Sequence, residues 1–201
     1  MGTNLFFWLG GIFVQDFEDF VFSQIERHVG KTGVINPREL LLDWAPRLQK
    51  GEANLNTLFS HLSTLFTPVL DVLPPESLLV PPLAKNSELY NLLSDLKKRG
   101  IPLWLMVDYP KEWVSQMATS SNLLRYFKPE KRIWFSGISG SKEISSLPGV
   151  LQDMAQLQLS DLLVIDPDIR RAMSFVRAGV QCIHFVNAAQ TKRELVFRKL
   201  L

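Results

Sequence analysis

The chain has 201 residues, 46% of them hydrophobic and 21% charged, with a net charge of +2. That length and balance fit one good-sized globular domain, or a core domain with a small insertion, and exclude a disordered chain. So small a charge gives no electrostatic case for nucleic acid or a membrane surface, and the single cysteine, Cys182, excludes an internal disulfide and fits a reducing compartment.

The N-terminal run Leu5-Phe6-Phe7-Trp8-Leu9-Gly10-Gly11-Ile12-Phe13-Val14 reads as an apolar strand emptying into a Gly-Gly loop. Such a strand end is where an open α/β sheet places its chemistry. The run is apolar enough to raise a signal peptide, but it lacks a basic leading region, and Asp16, Glu18 and Asp19 stand where cleavage would occur. No apolar stretch approaches the roughly 20 residues that span a bilayer. Cytoplasmic is the expected location.

Residues 16–29 carry Phe17, Phe20, Val21 and Ile25 on one helical stripe, with Gly30 as a C-cap. Asn36 and Pro37 are an N-cap and N1 pair opening a second helix towards Leu48, which Pro46 should kink or end. Asn54 precedes a third, with Leu55, Leu58, Phe59, Leu62 and Leu65 at helical spacing. Residues 68–82 are a proline-rich connector. The rhythm then changes: helix 88–99 closed by Gly100, strand 101–107, helix 110–120, a short strand at Ile133-Trp134-Phe135, helix 146–159, strand 162–165, a helix capped by Asp166-Pro167-Asp168 and ending at Gly179, strand 180–186, and a basic helix over 191–201. Strands alternating with helices of this length predict βαβ units and a parallel sheet. The expected architecture is α/β, a Rossmann-like core of residues 1–15 and 83–201, with residues 16–82 a helical cap and connector inserted after the first strand.

In order and spacing, nearly the whole chain resembles the haloacid dehalogenase (HAD) superfamily of phosphatases and dehalogenases, closest to members with a small helical cap. The stretch Gln49-Lys50-Gly51-Glu52 is similar to one common in such caps, and the run from Arg177 to Phe185 to the family's last helix-strand step. The resemblance implies four catalytic parts: a nucleophilic aspartate at the end of the first strand, a second aspartate two residues on, a hydroxyl after the second strand, and a lysine with an acidic pair that hold phosphate and Mg²⁺. Here the nucleophile position is Trp8, the general-acid position Gly10 and the hydroxyl position Val107. Lys142, in Ser136-Gly137-Ile138-Ser139-Gly140-Ser141-Lys142, stands at the expected place, and Val164-Ile165-Asp166-Pro167-Asp168 keeps the first acid while Pro167 replaces the second. An indole cannot attack phosphorus or carbon and cannot bind Mg²⁺. Lys142 and Asp166 are therefore remnants, expected to pair with each other as a salt bridge. Asp108 and Asp16 are the carboxylates near enough to be weighed as replacements, though neither starts from the strand end that points at the reacting centre.

Other constellations are weak. The loop before Lys142 lacks P-loop spacing, no G-x-G-x-x-G follows a strand, and His28, His61 and His184 lack metal-ligand spacing. Cys182 reads as an inert core thiol, His184 as a residue of a buried strand, and Trp44, Trp104, Trp113 and Trp134 as core. The leading expectation is a catalytically inactive binding or regulatory pseudohydrolase, with a protein partner or a second copy of itself, no cofactor, no nucleic acid and no membrane. One alternative is an atypical Mg²⁺-dependent hydrolase, with Asp166 its one remaining metal ligand. The other is a binder of small anions in the cap-core cleft, through Lys142 and Asp108.

Overall fold

The computed structural model describes residues 2–29, 37–65, 81–84, 86–120, 122–135 and 141–201; within helices, the side chains of 27–29, 37, 55, 62, 63, 65, 118–120 and 141–143 lie outside the description. The caps expected at Gly30 and Asn36, most of the proline-rich connector and the loop 136–140 fall outside it too.

Five parallel strands form one sheet in the order β3-β2-β1-β4-β5: β1 (Asn4–Trp8), β2 (Leu103–Val107), β3 (Arg132–Trp134), β4 (Leu162–Asp166) and β5 (Gln181–His184). Register places Trp8 beside Met106 on β2 and Phe7 beside Ile165 on β4. β1 and β4 are buried at every residue, because helices cover both faces of the central strands and select continuous apolar runs. β5 is an edge strand in which only Ile183 is buried, so His184 is exposed rather than packed inside. The chain fills β2 and β3 on one side of β1, then crosses to β4 and β5 on the other. That switch opens a crevice at the carboxyl ends of β1 and β4.

Three helices separate β1 from the rest: α1 (Phe17–Val29), α2 (Pro37–Gln49) and α3 (Leu55–Leu65), with no strand among the described residues between them. The stripe Phe17, Phe20, Val21 and Ile25 is buried, as its spacing requires. Pro46 does not end α2. The Lys50 N–H still donates to the Pro46 carbonyl at 3.1 Å, so the helix gives up only the bond that proline cannot donate.

The remaining helices are α4 (Ser87–Lys98), α5 (Lys111–Ser120), α6 (Ser141–Ala155), α7 (Ile169–Arg177) and α8 (Ala188–Phe197). Asn86 caps α4 by accepting from the Leu89 N–H, and Leu89, Leu92, Leu93 and Leu96 go into the core. α6 starts earlier than its sequence suggests and runs through Pro148, anchored by buried Leu147 and Leu151. α8 likewise starts early, where Asn187 accepts from the Gln190 N–H at 2.8 Å. Trp44 and Trp113 are buried and Trp104 and Trp134 half-buried. Cys182 is half-buried, and burial pushes its thiol up to about 12, which suits an inert role. No described helix is long and apolar enough to cross a membrane.

Candidate functional site

Four side chains meet at the carboxyl ends of neighbouring strands: Trp8 closes β1, Asp108 follows β2, Phe135 follows β3 and Asp166 closes β4. Trp8 is 2% exposed. Its Nε1–H donates to Asp108 Oδ2 at 2.8 Å, its ring stacks with Phe135 at 5.4 Å, and the Arg171 guanidinium lies 4.2 Å over it. A side chain with three such partners fills the strand end as a packed element.

Asp166 is fully buried, and its charge is met by Arg171. The guanidinium donates through Nε to Oδ2 at 3.0 Å and through Nη2 to Oδ1 at 2.9 Å, while the Asp168 N–H donates to Oδ1 at 2.8 Å. Burial pushes the Asp166 carboxyl up and the Arg171 guanidinium down; their attraction opposes both and holds Arg171 above its ordinary value. The partner expected for Asp166 from sequence was Lys142. Among the described residues its ion-pair partner is Arg171, because Asp168 caps α7 and the first turn brings residue 171 back over the strand end, where a planar fork meets a carboxylate on two oxygens. The backbone of Lys142 lies in the first turn of α6, and its side chain is outside the described residues.

Asp108 is 7% exposed. Oδ2 takes the Trp8 donor, and Oδ1 has no hydrogen-bond partner. Burial, then the charge of Asp16, raises its pKa from the ordinary 3.8 to about 6, against the Trp8 hydrogen bond and Arg171. The glycines fit around this arrangement. A Cβ on Gly10 would come within 3.0 Å of Asp108 Oδ2, and one on Gly11, whose φ is +77°, within 2.6 Å of the Pro167 ring. Val107 is buried in β2 and brings only methyl groups. Trp8, Gly10, Val107 and Pro167, chosen from sequence as degenerate positions, thus share one strand-end neighbourhood with Asp108 and Asp166.

Above it lies a cleft of about 930 Å³ between the strand ends, α1, α2 and α7. Trp8, Phe135 and Asp108 line its floor, and Asp16, Glu18 and Asp19 bring acid from the start of α1. Asp16 caps α1 by accepting from the Glu18 N–H at 3.0 Å. Burial raises the carboxyls of both Asp16 and Glu18. From α2 comes Gln49, 7% exposed, whose Oε1 also has no partner. Gln49 and Arg171 are the site residues that the sequence reading missed. Gln49 was visible only as part of a stretch resembling a cap, and Arg171 only as the second arginine after an Asp-Pro-Asp cap.

Mg²⁺ requires several oxygen ligands in near-octahedral array. Asp166 is the strand-end carboxylate placed for it, but both of its oxygens face the Arg171 guanidinium, itself a fixed positive charge. Trp8, Gly10 and Pro167 supply no side-chain oxygen, and among the described residues no three His, Cys, Asp or Glu side chains are grouped to hold a metal. This donor set does not fit the ion. What it can do is present acceptors and aromatic surface to a ligand from outside.

No family model matches the sequence, nor does any curated protein. Solved structures do resemble it. A predicted HAD-like family hydrolase from Porphyromonas gingivalis superposes with a TM-score of 0.61 at 15% identity, over 98% of each chain. A HAD family enzyme from Bacteroides thetaiotaomicron, solved in complex with magnesium and inorganic phosphate, gives 0.58 at 12% identity over 91% of this chain and 93% of that one. The L-2-haloacid dehalogenase of Xanthobacter autotrophicus, with chloropropionic acid covalently bound, gives 0.51 at 13% identity over 100% of this chain and 85% of that one. At such identities the likeness is one of fold, and the fold of this chain is HAD-like.

Proposed function

We propose that this HAD-like chain is a catalytically inactive binding protein, whose helical segment acts as a cap over the cleft. The observation that supports this reading is the coupling of Trp8 to both acids: its N–H is given to Asp108, and its ring carries the arginine that neutralises Asp166. Losing a nucleophile forfeits most of an enzyme's rate enhancement, which is many kcal/mol. An internal guanidinium at the remaining acid also replaces the charge that a metal would bring. A cytoplasmic setting accords with the lone, half-buried Cys182.

The test is hydrolysis of a generic phosphoester with Mg²⁺, run beside a competent HAD phosphatase. The expected result is no turnover above a phosphatase-free blank. Turnover that Asp166→Ala abolishes would overturn the proposal. A second reading, a hydrolase with a displaced carboxylate, draws on Asp108, the strand-end acid that lines the cleft and has one oxygen without a hydrogen-bond partner. Turnover that Asp108→Asn abolishes, with Asp166→Ala active, would support that reading instead. The partner in the leading proposal is a protein or a second copy of the chain. Ile169, Met173 and Val176, each at least 44% exposed and spaced along one face of α7, offer it an apolar stripe. Native mass measurement tests this part, and a strict monomer that captures nothing removes it.

A further inference from the structure

The apolar stripe on α7 runs past the cleft. Ile169 lines the cleft mouth, whereas Met173 and Val176, further along the same helix, are not among the residues that line it. The three are 53%, 44% and 52% exposed, at i, i+4 and i+7 on one helical face. Neither a ligand seated in the cleft nor a closing of the cleft on itself covers the last two. α7 also holds three arginines and no acid. Arg171 is paired with Asp166 and Arg170 with Asp168. Arg177, exposed and on the cleft rim, has no ion-pair partner within 4.0 Å among the described residues.

The opposite rim has the converse make-up. Leu42 on α2 is 77% exposed, and the start of α1 brings Glu18 and Asp19. Both acids are exposed, and neither has an ion-pair partner within 4.0 Å among the described residues. A contiguous exposed apolar stripe marks contact with another molecule. The molecule that covers α7 has to bring apolar side chains and carboxylates, and the far rim of this same chain brings both. About a two-fold axis, the rim of one copy meets α7 of the other twice over, so both patches of both copies are covered together. Pairing α7 on α7 instead sets arginine against arginine.

We infer that the protein pairs with a second copy of itself, cleft mouth to cleft mouth. α7 of each copy sits on the far rim of the other, its apolar stripe against Leu42 and Arg177 against Asp19 and Glu18. The inference rests on the binding reading above and names its partner. Both patches lie at the mouth, so each cleft opens onto the interface and α7 of the second copy borders its entrance.

Sedimentation velocity and native mass on the full chain test the pairing. A dimer is expected by about 100 μM, within the range that interfaces of modest area reach. Met173→Glu, at an exposed position, is expected to give a monomer with an unchanged melting temperature, and Val176→Asp to do the same further along the helix, while Met173→Leu keeps the dimer. Asp19→Lys and Arg177→Glu, each alone, are expected to weaken self-association at least about tenfold, because both junctions of the pair then meet like charges. Mixed in equal amounts, these two variants are expected to pair about as well as wild type: one junction of the mixed dimer carries both reversed charges and the other carries neither. A wild type that stays monomeric at about 100 μM overturns the inference, as does a dimer indifferent to both Met173→Glu and Val176→Asp. So does a mixture that associates no better than either variant alone. Turnover decides the non-catalytic reading separately: an inactive monomer sinks only the pairing, and an active dimer sinks only the inactivity.

Discussion

Trp8 and Asp108, 100 residues apart, are joined by a 2.8 Å hydrogen bond between the ends of adjacent parallel strands. The bond makes the strand end a set of mutually fitted residues. With an indole on β1, Asp108 accepts its N–H; with Asp108 there, a Cβ at residue 10 would lie 3.0 Å from Oδ2 and the carboxyl would have to give by a few tenths of an ångström. With Arg171 over the indole, Asp166 has a cation of its own. Trp8, Asp108, Gly10, Arg171 and Asp166 thus constrain one another physically.

Trp8→Phe tests the bond itself. It keeps an aromatic ring for Phe135 and Arg171 but leaves both oxygens of a buried carboxyl unpaired, at an expected cost of about 1–3 kcal/mol. The loss should be larger at pH 8, where Asp108 is ionised, than at pH 5. Urea unfolding at the two pH values measures it, and an equal loss at both would show that only ring volume had mattered.

Asp108 gives stability an unusual slope with pH. Its folded pKa of about 6 lies above the ordinary 3.8, so the folded state holds the proton more tightly than the unfolded state does. The stabilisation is therefore fully present below pH 3.8 and is lost as the pH rises through about 6. A shift of this size corresponds to roughly 3 kcal/mol across that window. Asp16 and Glu18, also raised, slope the same way, so the Asp108 part is read as the difference between wild type and Asp108→Asn. Denaturant unfolding from pH 4 to pH 8 should show a flatter profile for the variant, and parallel profiles would refute the assignment.

Much of this fold is legible in the chain because its signals are local. Alternating apolar runs and helical stripes mark the five strands and most helices, and Gly10 with Gly11 marks the strand-end turn. Helix starts are less legible. Ser141 and Ala188 begin helices ahead of the apolar spacing that marks them, the second at the Asn187 cap, and Pro46 and Pro148 sit inside helices that sequence alone would break. At the site, Trp8 is legible as a tryptophan where the resemblance implies a nucleophile, whereas the Arg171–Asp166 pair is not legible in the sequence. The turn from β4 into α7 brings the arginine over the carboxylate, a placement that no local pattern encodes. Gln49 was illegible for the same reason, since an unsatisfied amide oxygen is a property of packing.

Arg171→Met probes the internal cation. Removing it strands a fully buried carboxylate, a change that costs about 3–5 kcal/mol when a buried pair is broken. Asp166→Asn in the same chain should recover much of that loss, because the stranded charge goes with its partner. A double-mutant cycle in urea gives the coupling, and additive losses would mean that the pair carries no interaction of its own.

Placing acids at positions 8 and 10 tests the proposal that the strand end does not support catalysis. Trp8→Asp alone would bring a second carboxyl to the donor-poor floor beside Asp108 and push the pair's ionisation up, since like charges in one buried site cannot both form freely. Adding Gly10→Asp forces a Cβ to within 3.0 Å of Asp108 Oδ2, so the double variant must displace Asp108 or lose stability. Neither change frees Asp166, whose oxygens stay with Arg171. The expected outcome is no Mg²⁺-dependent phosphoester turnover from Trp8→Asp or from Trp8→Asp with Gly10→Asp, and a lower melting temperature for the double variant. Turnover from the single variant would show that Asp166 yields to metal at little cost and that the indole alone had silenced an otherwise intact site.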